Sequence, residues 1–307
     1  MTIRAWKSRR LGLLPLFVCC VVALAAADAR AELSSKQARK AITRMPGFEL
    51  TSGAVRVKTI TPGTPAEVTA DIRTVFKFEQ DDRGRWRIVE IRTAQDRWES
   101  INFMTDPAHA DLATDECNAP DPPFKGSAAL DPSVKRARCL LGVLTGIDVP
   151  SDAVRIQEVD PMPVPLASRA SAVVVAWIRV TARLVNDGKG WRVSELRTGN
   201  RDWVKLQALI DALNERKAAQ ARSEIGTMFD ALRRYMLEHG FYVVSDSHAV
   251  LIDHLNPRYL SKIIRVDPWN HPYKYDGQRD RFTIRSAGPD GKDQTADDIQ
   301  LGATYSH

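Results

Sequence analysis

Residues 66–78 alternate apolar and polar positions at a period of two, with Val68, Ala70, Ile72, Phe76 and Phe78 on one face. That is the signature of a half-buried strand. Asp82-Arg83-Gly84 follows as a hairpin turn. The next run, Trp86 to Arg92, offers Trp86, Ile88 and, past a change of face or a bulge, Ile91 for burial. Arg87, Glu90 and Arg92 are left to water. A short helix is expected over 35–45, and a second over 134–145.

The pattern occurs twice. Ala38-Arg39, Gly47 and Ser52-Gly53-Ala54-Val55-Arg56-Val57 return 99 positions later as Ala137-Arg138, Gly146 and Ser151-Asp152-Ala153-Val154-Arg155-Ile156. Trp86-Arg87-Ile88-Val89-Glu90-Ile91-Arg92-Thr93 returns 105 positions later as Trp191-Arg192-Val193-Ser194-Glu195-Leu196-Arg197-Thr198, and Asn186-Asp187-Gly188 takes the place of the first turn. The change of offset places an insertion in the Pro-rich stretch Asp160 to Ala172. Each copy reads as one helix and three antiparallel strands, a small α+β unit. The long alternating strand followed by Gly188-Lys189-Gly190-Trp191-Arg192-Val193 weakly resembles cystatin-like and nuclear-transport-factor-2-like domains. Such sheets often cup a ligand, but a fold does not license a function.

Residues 202–238 read as one amphipathic helix about 55 Å long. Trp203, Leu206, Leu209, Ile210 and Leu213 open its apolar stripe; Ala218, Ala221, Ile225, Met228, Phe229, Leu232, Tyr235 and Met236 continue it. Gly240 is the expected C-cap, and Asn214 and Gly226 are the weak points. The predicted organisation is a signal peptide over 1–31, α+β units over 32–105 and 134–201, an Asp/Pro/Ala-rich linker over 106–133, and a helix-plus-sheet domain over 202–307. The fold class is α+β throughout.

Charge changes this picture at the N-terminus. Arg4, Lys7, Arg9 and Arg10 precede an apolar run from Leu11 to Ala27, and Ala29-Arg30-Ala31 has the form of a cleavage site. A retained anchor is the rival reading, but the run is short for a span and ends at Asp28. Leu16-Phe17-Val18-Cys19 lacks the small residue a lipidated cysteine requires. Residues 1–31 carry five bases and one acid, so without them the formal charge falls from +6 to +2. A chain that nearly neutral exerts no bulk pull on nucleic acid. The expected location is exported, periplasmic or extracellular, with no membrane span in the mature chain. Two cysteines remain, Cys117 and Cys139. An oxidising compartment favours their disulfide; two free thiols stay open, because geometry decides.

The densest candidate chemistry is near the end. Asp290, Asp293, Asp297 and Asp298 stand within nine residues of a loop broken by Gly288, Pro289 and Gly291. Upstream lie Lys217-Ala218-Ala219-Gln220-Ala221-Arg222-Ser223-Glu224-Ile225, Ala231-Leu232-Arg233-Arg234-Tyr235, Gly240-Phe241-Tyr242 and Asp267-Pro268-Trp269-Asn270-His271-Pro272-Tyr273-Lys274-Tyr275. Residues 217–300 resemble the C-terminal domain of the type II secretion major pseudopilin, the protein G family. The resemblance implies a helical spine on a small antiparallel sheet, with 249–260 as the variable segment. It also implies a structural Ca2+ held by Asp290, Asp297 and Asp298 with backbone carbonyls near Ile284 and Ser286, Asp293 being a water-mediated ligand or a bystander. Oxygen donors are what calcium takes; without an ion the loop is simply an acidic, exposed turn.

Two departures from the family pattern stand out. Asn270 replaces a glycine, and Asn tolerates a left-handed turn. Pseudopilins also begin with a strongly apolar helix that packs the filament, whereas here Asp211, Asn214, Glu215 and Arg216 precede Lys217. No H-E-x-x-H pair, G-x-S-x-G elbow or phosphate loop is present, and Ser245-Asp246-Ser247-His248 contains triad letters only. The expected function is that of a non-enzymatic envelope protein in contact with protein partners, including secretion or pilus-like machinery. The alternative is a periplasmic small-ligand-binding or sensory protein that uses the paired α+β units.

Overall fold

The computed structural model describes residues 32–104, 117–118, 132–160 and 170–305. The expected signal peptide, most of the linker and most of the Pro-rich insertion lie outside the described residues. The first unit runs α1 (Ser35–Thr43), β1 (Val55–Thr61), β2 (Ala66–Gln80), β3 (Trp86–Ala94), β4 (Arg97–Ser100) and a single turn, α2 (Ile101–Met104). The second runs α3 (Val134–Thr145), β5 (Val154–Asp160), β6 (Ser171–Asn186), β7 (Trp191–Arg197) and β8 (Val204–Lys205). Ser34 and Gln37 form a reciprocal capping box at the start of α1, satisfying donors that a helix N-terminus leaves unpaired. Both predicted turns hold a glycine at positive φ, Gly84 at 73° and Gly188 at 83°.

The two units share one eight-stranded sheet, in the order β4-β3-β2-β6-β7-β8, with β1 also paired to β2 and β5 to β6. β2 and β6 run antiparallel in register from Ala66↔Leu184 to Glu79↔Ser171. These strands have 15 and 16 residues, so their two halves lie under different helices. One core joins Ala38, Ala41 and Ile42 of α1 to Val68 and Ala70, and also to Ala182, Leu184 and Val193 of the second unit. The other joins Ala137, Leu140 and Leu141 of α3 to Val174 and Ala176, and also to Phe76, Phe78 and Trp86 of the first. Neither core is complete without strands of both units. The expected bulge near Ile91 is present: Lys77 pairs with Glu90 and Phe78 with Ile88, leaving Val89 over.

Cys117 and Cys139 form a disulfide. It holds Asn118 against the start of β3, where the Asn118 side chain accepts from Trp86 N and donates to Trp86 O, both at 2.9 Å.

The long helix, α4 (Leu206–His239), runs unbroken through Asn214 and Gly226 and ends on Gly240 at φ 77°. It begins later than the periodicity predicts. Val204 and Lys205 are drawn into β8, pairing with Leu196 and Glu195, which keeps their backbone extended. Trp203 therefore lies outside the helix, with the Arg183 and Arg197 guanidinium carbons 4.0 and 4.4 Å from its ring centroid. Leu206 enters the core beneath α1. Farther along, Lys217 Nζ meets Glu99 Oε2 of β4 at 2.6 Å, and Arg216 donates to the Phe103 carbonyl. The N-terminal third of α4 is thereby packed on the sheet domain.

Its C-terminal part covers β9 (Lys274–Gly277), β10 (Arg281–Ser286) and β11 (Ile299–Thr304), antiparallel in the order β11-β10-β9. A further helix, α5 (His248–Leu255), packs beside α4 and β9 in the same core. Ile225, Met228, Leu232, Leu251, Leu255 and Ile284 fill this core, each no more than 1% exposed.

Candidate cation site

The site is built on the turn before β9. Asp267, 2% exposed, accepts from the backbone N–H groups of Trp269 at 3.0 Å and His271 at 2.9 Å, and from Ser286 Oγ at 2.5 Å. A carboxylate this deep needs such donors. Asn270 completes the turn at φ 70°, the left-handed conformation for which its short amide suits it. Trp269 Nε1 donates to Asn214 Oδ1 at 3.0 Å, which ties the turn to α4. Ser286 Oγ also accepts from Gly288 N at 3.1 Å, and His271 Nδ1 lies 3.1 Å from the Gly288 carbonyl. The turn thus fixes the start of the acidic loop.

Within that loop three carboxylates converge on one hydroxyl. Thr295 Oγ1 lies 2.7 Å from Asp297 Oδ1, 3.2 Å from Asp298 Oδ1, 3.4 Å from Asp290 Oδ1 and 3.2 Å from the Lys292 carbonyl. One hydroxyl has one proton to give, so most of these acceptors are left without it. Asp297 Oδ2 accepts from Asp290 N, Asp290 Oδ1 from Lys292 N, and Asp298 Oδ2 from Gln294 N, while Asp298 Oδ2 also lies 3.7 Å from Arg285 Nε of β10. The hydrogen bond from Thr295 is the main cause that holds the Asp297 carboxyl below its ordinary range. Gln294 adopts φ 63°, unusual for a side chain of its kind, in the segment that folds Thr295 back onto the acids.

The candidate residues do not all meet. Asp290, Asp297 and Asp298 are brought together. Asp293 turns away to Lys274 and Arg285, and the bond from Lys274 is the chief cause of its lowered pKa. Ile284 and Ser286 are fully buried in β10, and the Ser286 hydroxyl donates to Asp267; the ligands that the resemblance implies at these two positions are their backbone carbonyls. Thr295 and Asp267 went unrecognised in the sequence. Thr295 is an ordinary loop letter whose only cue is its place between Lys292 and Asp297. Among the described residues no three His, Cys, Asp or Glu side chains already stand in coordinating array. The point on which the loop carboxylates converge is taken by the Thr295 hydroxyl. The donor set, hard oxygens of three carboxylates with a carbonyl beside them, fits calcium rather than a soft metal.

Gly288 is required at the loop's entrance. It sits at φ 62°, and a Cβ there would lie 2.5 Å from the Asp297 carbonyl and 2.9 Å from Asp297 Oδ2. Gly288→Ala is expected to displace Asp297 and, being strained at this φ, to lower stability by about 1–3 kcal/mol, read by denaturant unfolding.

The remaining chemistry is sparse. His248 Nε2 faces Met228 Sδ at 3.4 Å, and burial pushes the imidazole down to about 4, so it is neutral at physiological pH. Ser245 Oγ accepts from Ser247 N instead of meeting that histidine. A cleft of about 450 Å3 lies where α1, β7 and the start of α4 meet, with Met45, Trp191, Leu206 and Ile210 along it and Arg44 and Lys205 among its cations.

Among the described residues, no helix is long and apolar enough to cross a membrane. No curated protein and no solved structure matches the chain. One family does: residues 208–302, the span from the first turn of α4 into β11, match type II secretion system (T2SS), protein G, so this helix-and-sheet domain is similar to the domain that family model describes.

Proposed function

We propose that this is an exported, non-enzymatic envelope protein whose C-terminal module binds one Ca2+ and makes protein–protein contacts with secretion or pilus-like machinery. The observation that carries the ion is the convergence of Asp290, Asp297 and Asp298 around Thr295 Oγ1. Those three carboxylates and the Lys292 carbonyl would hold it once the threonine hydroxyl turns aside. The ion supplies structural charge neutralisation: it removes the mutual repulsion that opposes closing the loop onto β10 and β11. Asp267 and His271 position the loop through Ser286 and Gly288.

The packing of α4 bears on the kind of partner. In the family the start of this helix is apolar and packs a filament. Here Leu206 is buried in the sheet domain's core, and Lys217 is paired with Glu99. That surface is therefore spent within the chain, which supports a module that docks onto machinery as an accessory in place of a filament subunit. In-cell crosslinking of the full chain, followed by identification of the adducts, tests this. Adducts with envelope secretion components are expected, and their loss in Asp297→Asn/Asp298→Asn links docking to the loop. Adducts only between copies of the chain in regular ladders would indicate a filament and contradict it.

The second reading, a small-ligand or sensory role, is favoured by one feature, the cleft beside Met45, Trp191 and Ile210. Its wall includes Ala41, Met45, Val193 and Leu206 of the core beneath α1, with Arg44, Arg192 and Lys205 supplying cations along it.

A further inference from the structure

The face of the eight-stranded sheet turned away from α1 and α3 is not an ordinary solvated face. At its middle Val75 pairs with Val175, and each is only 6% exposed although neither belongs to a helix-side core. Arg155 pairs with Val175 from β5. Because Phe76 pairs with Ile91, the next residue, Arg92, shares the face of Val75, and Arg92 pairs with Trp98 of β4. The neighbouring row pairs Arg73 with Trp177. Arg56 lies over Trp177 with its guanidinium carbon 3.8 Å from the ring centroid, and Arg92 lies over Trp98 at 5.9 Å.

All four arginines are exposed, while both tryptophans are half-buried. Among the described residues, no acid pairs with Arg56, Arg73, Arg92 or Arg155. The acids nearest in the register are already held, Asp71 by Lys58 at 3.2 Å and Arg179 at 2.9 Å, and Glu90 by Lys77 at 3.5 Å. In a chain whose formal charge without residues 1–31 is only +2, this is a marked local excess of cations.

From this belt we infer that the open sheet face binds a linear acidic polysaccharide. Stacking on indole restricts the Arg56 and Arg92 side chains, so less freedom is lost when their planar forks meet carboxylates. Arg92 and Arg155 lie on strands β3 and β5, three strand spacings or about 14 Å apart, with Arg73 beside the line between them. That spreads cations along a line, as an extended polyanion requires. A membrane surface fits less well, because the apolar side chains of the belt, Val75 and Val175, lie beneath the others and cannot insert into lipid.

The test uses the full chain and polygalacturonate, a linear polycarboxylate, with binding followed by calorimetry at low and near-physiological salt. Saturable binding that weakens as salt rises is expected. Arg73→Glu/Arg155→Glu should weaken it at least tenfold. Lys36→Glu/Lys40→Glu, which makes the same charge change on exposed residues of the helix side, should alter it less than twofold. Unchanged unfolding midpoints guard against misfolding, and Arg73→Gln/Arg155→Gln serves if the charge reversal fails to fold. Absence of saturable binding, or equal weakening by both pairs, overturns the inference. So does binding to phosphatidylglycerol vesicles that depends on Arg73 and Arg155 while polygalacturonate does not bind. The cation site plays no part in this assay, so its failure and that of the calcium reading are separable.

Discussion

Glu99→Gln is expected to lower stability by about 3–5 kcal/mol, the cost of stranding a buried charge. Lys217 is 3% exposed and Glu99 7%, and their charged atoms are 2.6 Å apart. Arg97 Nε, 3.9 Å from Glu99, is the nearest other cation and is partly solvated, so it compensates little. Lys217→Met should cost a similar amount by leaving Glu99 without its close partner. The double replacement Glu99→Leu/Lys217→Met removes both charges and should return to within about 1 kcal/mol of the parent, since burying a pair roughly balances desolvation against attraction. Denaturant unfolding of the four proteins checks this. A larger effect follows for the architecture: the pair is one of the joints between the pseudopilin-like module and the sheet domain, so the single variants should also loosen α4 from β4, seen as faster amide exchange around residues 206–217.

Removing the disulfide with Cys117→Ser/Cys139→Ser is expected to cost about 3 kcal/mol for a closed loop of this length. The effect should exceed a bare cross-link. Asn118, the residue after Cys117, supplies both a donor and an acceptor to the backbone of Trp86, which is fully buried at the start of β3. Freed from its anchor, Asn118 no longer closes that strand end, and the core shared by α3, β3 and β6 loses its border. Asn118→Ala, with the disulfide intact, isolates this second part and should cost about 1–2 kcal/mol. If the serine double variant were no less stable than the parent, the bridge would be an incidental closure.

Much of the fold was legible because its signals are local. The period-two run through Val68, Ala70, Ile72, Phe76 and Phe78 marks β2, since one face meets a core and the other meets water. The Gly84 and Gly188 turns, the cap at Gly240 and the left-handed Asn270 announce themselves through the backbone they require. The pairing of β2 with β6 does not, because contacts about a hundred residues apart leave no periodic trace. Without that pairing the units read as two separate small sheets, and the sharing of each core by both units is invisible. Trp203 looked helical because its spacing continues a stripe, but two residues of β8 pairing overrode the propensity. Lys217 carries a letter that normally belongs to a solvated helix face, and only Glu99 from a distant strand makes its burial tolerable.

At the site, the acids Asp290, Asp297 and Asp298 were visible as a cluster, and the resemblance to the protein G family gave them a role. Their convergence on Thr295, the diversion of Asp293 to Lys274 and Arg285, and the buried support from Asp267 depend on how the loop folds back. No linear spacing encodes that fold.

Calorimetric titration of calcium into the chelator-stripped full chain is the most direct test of the account. One saturable site per chain is predicted, abolished in Asp297→Asn/Asp298→Asn, with an accompanying gain of about 2.7 kcal/mol in stability at a hundredfold excess over the dissociation constant. No binding heat, together with an unfolding midpoint that is the same in calcium and in chelator, would contradict it.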